Sequence, residues 1–116
     1  MGKKPPLSEV AVATVRRYCQ QHIPPELRDQ IRLDVETRGQ TVTIFECRPP
    51  WREAAGSEWS KMKTAQFRFD PDDSTWTLYW ADRNGRWLLY DDTPPARDIG
   101  DLLRAVDEDR WGCFWG

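Results

Sequence analysis

At 116 residues, with 17 basic against 19 acidic side chains and a formal net charge of -2, the chain fits one compact domain with room for a real core. Residues 1–58 carry nine basic and eight acidic groups and residues 59–116 carry eight and eleven, so neither half has the strong positive field behind non-specific nucleic-acid affinity. Cys19, Cys47 and Cys113 form neither a disulfide framework nor a zinc spacing, and no apolar run reaches signal-peptide length or the roughly 20 residues of a membrane span, so a soluble cytoplasmic protein with reduced thiols is expected.

Residues 1–6 are rich in Lys and Pro and are expected to be mobile. Ser8 can cap a helix in which Leu7, Val10, Ala11, Thr14, Val15, Tyr18 and His22 recur at helical spacing, and Pro24-Pro25 ends it. Residues 24–30 allow one further turn. From Ile31 the period changes to two: Ile31, Leu33 and Val35 alternate with Arg32, Asp34 and Glu36, and alternation resumes with Val42 and Ile44. A two-residue turn using Gly39 puts these five aliphatics on one sheet face, with Phe45 and Cys47 on the other beside Arg32 and Asp34.

Residues 48–63 have no period, and a connection of that length tends to carry function or disorder. Next, Ala65, Phe67 and Phe69 alternate inward, and residues 71–74 supply turn chemistry. Asn84-Gly85 then marks a hairpin with a type I′ turn, which pairs Arg83 with Arg86, Trp80 with Leu89 and Tyr79 with Tyr90. Parity places Phe67, Phe69, Trp76, Leu78, Trp80, Trp87 and Leu89 on one face and Thr75, Thr77, Tyr79, Leu88 and Tyr90 on the other. Burying seven large apolar side chains at about 1.5–3 kcal/mol each amounts to roughly 10–20 kcal/mol, against a net domain stability of about 5–15 kcal/mol, so that first face is core.

Asp98 caps a second helix with the stripe Ile99, Leu102, Leu103 and Val106, expected to stop at Gly112, after which the terminal aromatics tuck against the same layer. The fold expected is α+β: an antiparallel sheet of about five strands built from hairpins, with an N-terminal and a C-terminal helix packed on one face.

Catalytic patterns are sparse. The single histidine, His22, ends the first helix's apolar stripe and reads as a packing or capping residue. It leaves no partner for a Ser-His-Asp or Cys-His pair, and no glycine-rich phosphate loop is present. Asp70, Asp72 and Asp73 lack the further oxygen ligands of a calcium loop and read as a turn. Glu46 has inward parity and calls for a partner such as Arg48; an acid/base role is the sharper alternative. No cofactor and no metal are implied.

The candidate binding residues lie in two places. Phe45, Arg68, Tyr79 and Tyr90 fall on the outer sheet face, an ordinary half-solvated face or a set of binding anchors. Arg48, Trp51 and Arg52 belong to the RPPWR segment: either Trp51 and Trp59 fold back over the sheet edge, or Arg48, Trp51 and Arg52 form a recognition element for an acidic partner or a strand of nucleic acid. A protein partner or self-association is the leading expectation and single-stranded nucleic acid the alternative; a membrane is not expected. With ECRPPW at 46–51, DRNGRW at 82–87 and CFWG at 113–116, the chain resembles a family of small bacterial proteins known as a domain of unknown function. The resemblance implies a bacterial cytoplasmic protein and brings no activity, ligand or catalytic residue.

Overall fold

The structure, a computed structural model, describes residues 7–50 and 58–116. Residues 1–6, Trp51 and Arg52, on which expectations of mobility and recognition rest, lie outside the described residues. The elements run α1 (Glu9–His22), a 3-10 turn (Pro25–Leu27), β1 (Arg32–Arg38), β2 (Thr41–Arg48), β3 (Ser60–Asp70), β4 (Thr75–Ala81), β5 (Trp87–Leu89) and α2 (Ile99–Glu108). The five strands form an antiparallel sheet in the order β1-β2-β3-β4-β5, each hydrogen-bonded to its neighbour in sequence. Both helices contribute to one core with the sheet's inner face, giving the expected two-layer α+β architecture.

Ser8 caps α1 as expected, its hydroxyl accepting from the Ala11 amide at 3.2 Å. The buried stripe is Ala11, Val15 and Cys19, not Val10, which is 76% exposed. The core stripe of α1 runs through positions 11, 15 and 19, four apart, and Val10 lies to the side of it, turned to solvent. Gly39, with φ +55, and Gln40 form the two-residue turn between β1 and β2. Val42 and Ile44 are fully buried, and the even turn at 71–74 pairs Phe69 with Trp76 and Phe67 with Leu78.

Three expectations are corrected. β3 begins at Ser60 and Arg48 still belongs to β2, so the connection is shorter than 48–63. A bulge conceals the strand from a parity reading: Ile44 pairs with Ala65 but Phe45 with Lys63, leaving Thr64 as the extra residue. Lys61 and Lys63 therefore come onto the outer face.

The second correction concerns the hairpin. Ala81 pairs with Trp87, Trp80 with Leu88 and Tyr79 with Leu89, one residue away from the type I′ register. Gly85 has φ +78 and Asn84 is not left-handed, so the loop is the three-residue kind that closes on a single αL glycine. Asp82 holds it: one carboxylate oxygen accepts from the Asn84 and Arg86 amides, at 2.8 and 2.9 Å, and Asp82 N–H donates to the Arg86 carbonyl. These bonds set the carboxyl below its ordinary range. The odd loop inverts β5. Trp87 and Leu89 face outward, whereas Tyr90 is only 4% exposed and packs on Phe114, ring centroids 5.0 Å apart. Five of the seven residues expected on the core face remain there, Trp76 nearly buried and Trp80 half-buried.

The third correction is the end of α2, which closes at Asp109 and not at Gly112. Asp109 takes a left-handed conformation, φ 43, and its carboxylate accepts from the Phe114 and Trp115 amides at 3.0 and 2.8 Å. Phe114 is thereby held in the core, and Trp115 Nε1 donates to the Val106 carbonyl at 3.1 Å.

Candidate functional site

Both helices lie on the inner face of the sheet, so the opposite face is the broad surface that the fold offers. Strand register assembles its side chains in rows. Asp34, Phe45 and Lys63 stand abreast on β1, β2 and β3; Glu36, Thr43, Gln66, Tyr79 and Leu89 cross all five strands; Thr41, Arg68 and Thr77 form the next row. Five cations (Arg32, Arg38, Lys61, Lys63, Arg68) face three carboxylates (Asp34, Glu36, Asp70), a local excess of positive charge on a chain of net charge -2.

Four of the five cations are laid over aromatic rings. The Arg68 guanidinium sits 3.7 Å from the Tyr79 ring centre, Arg32 is 3.9 Å from that of Trp59, Lys61 Nζ is 4.4 Å from that of Phe45, and Lys63 Nζ is 5.6 Å from that of Trp87. Each contact is worth about 0.5–1 kcal/mol at an exposed site, and its larger effect is to restrict a long flexible side chain. A hydrogen-bonded relay tightens Arg68 further: its Nε donates to Gln66 Oε1 at 2.7 Å, and Gln66 Nε2 donates to Thr43 Oγ1 at 2.9 Å. Lys63 Nζ donates to the Gly85 carbonyl at 2.7 Å, tying β3 to the hairpin, and Lys61 forms an ion pair with Glu36. A shallow hollow of about 330 Å³, with Thr43, Phe45, Gln66 and Trp87 among its lining residues, opens on this face.

Of the residues expected to bind, the fold brings together Phe45, Arg68 and Tyr79. Tyr90 is removed from the group because the odd hairpin loop turns it into the core. Arg48 shares the parity of Glu46 on the helix side and pairs with it at 3.4 Å. That pair joins a half-buried carboxylate to a largely exposed guanidinium at the sheet rim, not the deeply buried pair that inward parity suggested. Sequence reasoning missed Lys61, Lys63 and Trp87. The bulge and the hairpin loop put them on this face.

A second polar cluster joins the helices. His22 stacks on Trp115 with centroids 4.2 Å apart, its Nδ1 lies 3.4 Å from the Tyr18 hydroxyl, and Tyr18 donates to Asp107 at 3.1 Å. Burial, reinforced by Asp107, pushes the Tyr18 phenol up. The ring of His22 is thus engaged in packing α1 against the C-terminal segment. The cysteines are not activated: burial pushes Cys19 up to about 12 and raises Cys113, and Cys47 is raised by burial and by the Asp34 carboxylate to which its Sγ donates at 3.5 Å. A thiol so placed stays protonated and is a poor nucleophile near neutral pH. Among the described residues, no group of three or more His, Cys, Asp or Glu side chains is placed to hold a metal ion, and no helix is long and apolar enough to cross a membrane.

In comparisons with known proteins, a family model described as a domain of unknown function matches residues 3–116. No protein with a curated description matches the chain, and no solved structure matches it.

Proposed function

Since the chain belongs to that family, DUF3024, whose description carries no activity, we propose from its surfaces that it is a non-enzymatic protein-interaction module that meets its partner through the outer sheet face. The observation that carries this reading is the set of cations held over Phe45, Trp59, Tyr79 and Trp87. Tyrosine, tryptophan and arginine dominate binding hot spots, and side chains already ordered before binding lose less entropy when a partner arrives. A location in the bacterial cytoplasm belongs to the same reading, supported by three free cysteines of which two are buried.

The test compares wild type with Tyr79→Ala and Arg68→Ala in affinity capture from a bacterial lysate, alongside a sedimentation measurement of self-association. Loss of the same captured partner, or of a dimer, in both variants is the expected result. A monomer whose variants capture what wild type captures refutes the reading.

Single-stranded nucleic acid is the second reading, favoured by the local excess of cations. Arg68 already lies on the Tyr79 ring, where a base would stack, which places this reading behind the first. Absence of binding to a labelled oligonucleotide at low salt disposes of it.

A further inference from the structure

The open edge of β1 borders a cleft of about 460 Å³ between this strand and α1. Five consecutive residues, Arg32 to Glu36, line it. Side chains of a strand alternate between faces, so when both parities line one cleft its wall is the main-chain edge itself. Among the described residues β1 pairs with β2 alone, in seven consecutive pairs without a bulge, and the strand contains no proline. It therefore presents a regular row of unpaired N–H and C=O groups, the template for addition of another strand. Beside the edge, Cys19 and Ile23 are nearly buried and Leu33 and Val35 half-buried, forming an apolar floor. Arg16 and Arg28 also line the cleft, and neither has an ion pair among the described residues.

We infer that this cleft takes an extended segment of a partner protein, added antiparallel to β1, with apolar side chains on the floor and acidic residues at its ends. Charge opposes a second copy of this chain in the register that overlaps the whole strand. Antiparallel self-pairing centred on Val35 sets Arg32 against Arg38 and Asp34 against Glu36, and like charges directly opposite destabilise a pair. An acidic segment instead meets Arg16, Arg28 and Arg32, three cations against two carboxylates on the lining, Asp34 and Glu36, of which Glu36 is already paired with Lys61. Backbone bonds supply affinity and alternate side chains supply selectivity, as in other cases of strand addition beside a helix. The inference goes beyond the outer-face reading and uses neither Arg68 nor Tyr79.

The probe is the synthetic peptide acetyl-Glu-Val-Thr-Val-Thr-Val-Glu-amide, labelled for anisotropy and added to the full chain, with hydrogen exchange followed amide by amide. Binding should slow exchange at alternate β1 amides. N-methylation of the central valine should abolish it, and lysine in place of both glutamates should weaken it by about tenfold or more. Arg16→Glu together with Arg28→Glu, both exposed positions, should weaken it similarly, whereas Tyr79→Ala should leave it unchanged. The inference is overturned if millimolar peptide leaves β1 exchange unaltered, if the lysine peptide binds equally well, or if sedimentation reveals a dimer joined through β1. Loss of lysate partners in Tyr79→Ala with no peptide binding would sink the edge site and leave the outer-face reading standing.

Discussion

Replacing Tyr90 or its neighbour Leu89 by alanine tests the hairpin register, because the two possible loops exchange their places. In the three-residue loop Tyr90 is 4% exposed and packed on Phe114, whereas Leu89 is 53% exposed. Truncating a buried aromatic to alanine costs about 3–5 kcal/mol. Tyr90 stands at the end of a short edge strand, where neighbours can collapse inward, so about 3 kcal/mol is expected. Leu89 keeps about half its surface wet, and its loss should cost no more than about 1 kcal/mol. At roughly 4 °C per kcal/mol for a domain of this size, Tyr90→Ala should lower Tm by about 12 °C and Leu89→Ala by about 4 °C at most. Calorimetry, with urea titration as a second measure, reads the difference directly. Equal shifts, or a larger one for Leu89→Ala, would mean that the chain adopts the two-residue turn and that Tyr90 belongs to the outer face after all.

The remaining predictions concern the caps and the buried thiol. Because burial raises Cys19 from 9.0 to about 12, its contribution is present in full below about pH 9 and is lost as pH rises to about 12. The loss is at most about 4 kcal/mol, and Cys19→Ala should flatten that part of the stability profile, leaving the later decline due to Tyr18. Asp82 works in the opposite sense: its lowered carboxyl stabilises the hairpin above the ordinary carboxylate range and ceases to do so as pH falls through its folded value. Asp82→Ala should therefore remove an acid-side transition in tryptophan fluorescence. Asp109→Ala gives up two carboxylate hydrogen bonds to the Phe114 and Trp115 amides, at a cost of about 2 kcal/mol, and should red-shift Trp115 emission as the terminus comes free; unchanged emission would contradict the capping role.

Reading along the chain was enough wherever the relevant interactions are local. The helix starting after Ser8, the glycine turn at Gly39 and the inward set Val42, Ile44, Phe67, Trp76 and Leu78 all follow from periodicity and from the backbone freedom of particular residues. So does the two-layer arrangement, since a face carrying that much apolar surface has to be covered. Phe45, Arg68 and Tyr79 were recognisable as companions for the same reason: strict alternation carries each strand's parity along its length.

What the linear pattern left open is how parity passes from one strand to the next. One residue more or less in a turn reverses every side chain beyond it. An extra residue within a strand, a bulge, does the same, and this chain has one critical place of each kind. Asn84 stays out of the left-handed region, and Asp82 fastens a three-residue loop that sends Tyr90 inward and Trp87 outward. Thr64 is bulged, which moves Lys61 and Lys63 beside Phe45 and Trp87. Contacts far away in sequence, Tyr90 with Phe114 and Lys63 with Gly85, add to the local Asp82 bonds, and such contacts exist only once the sheet and helices have closed.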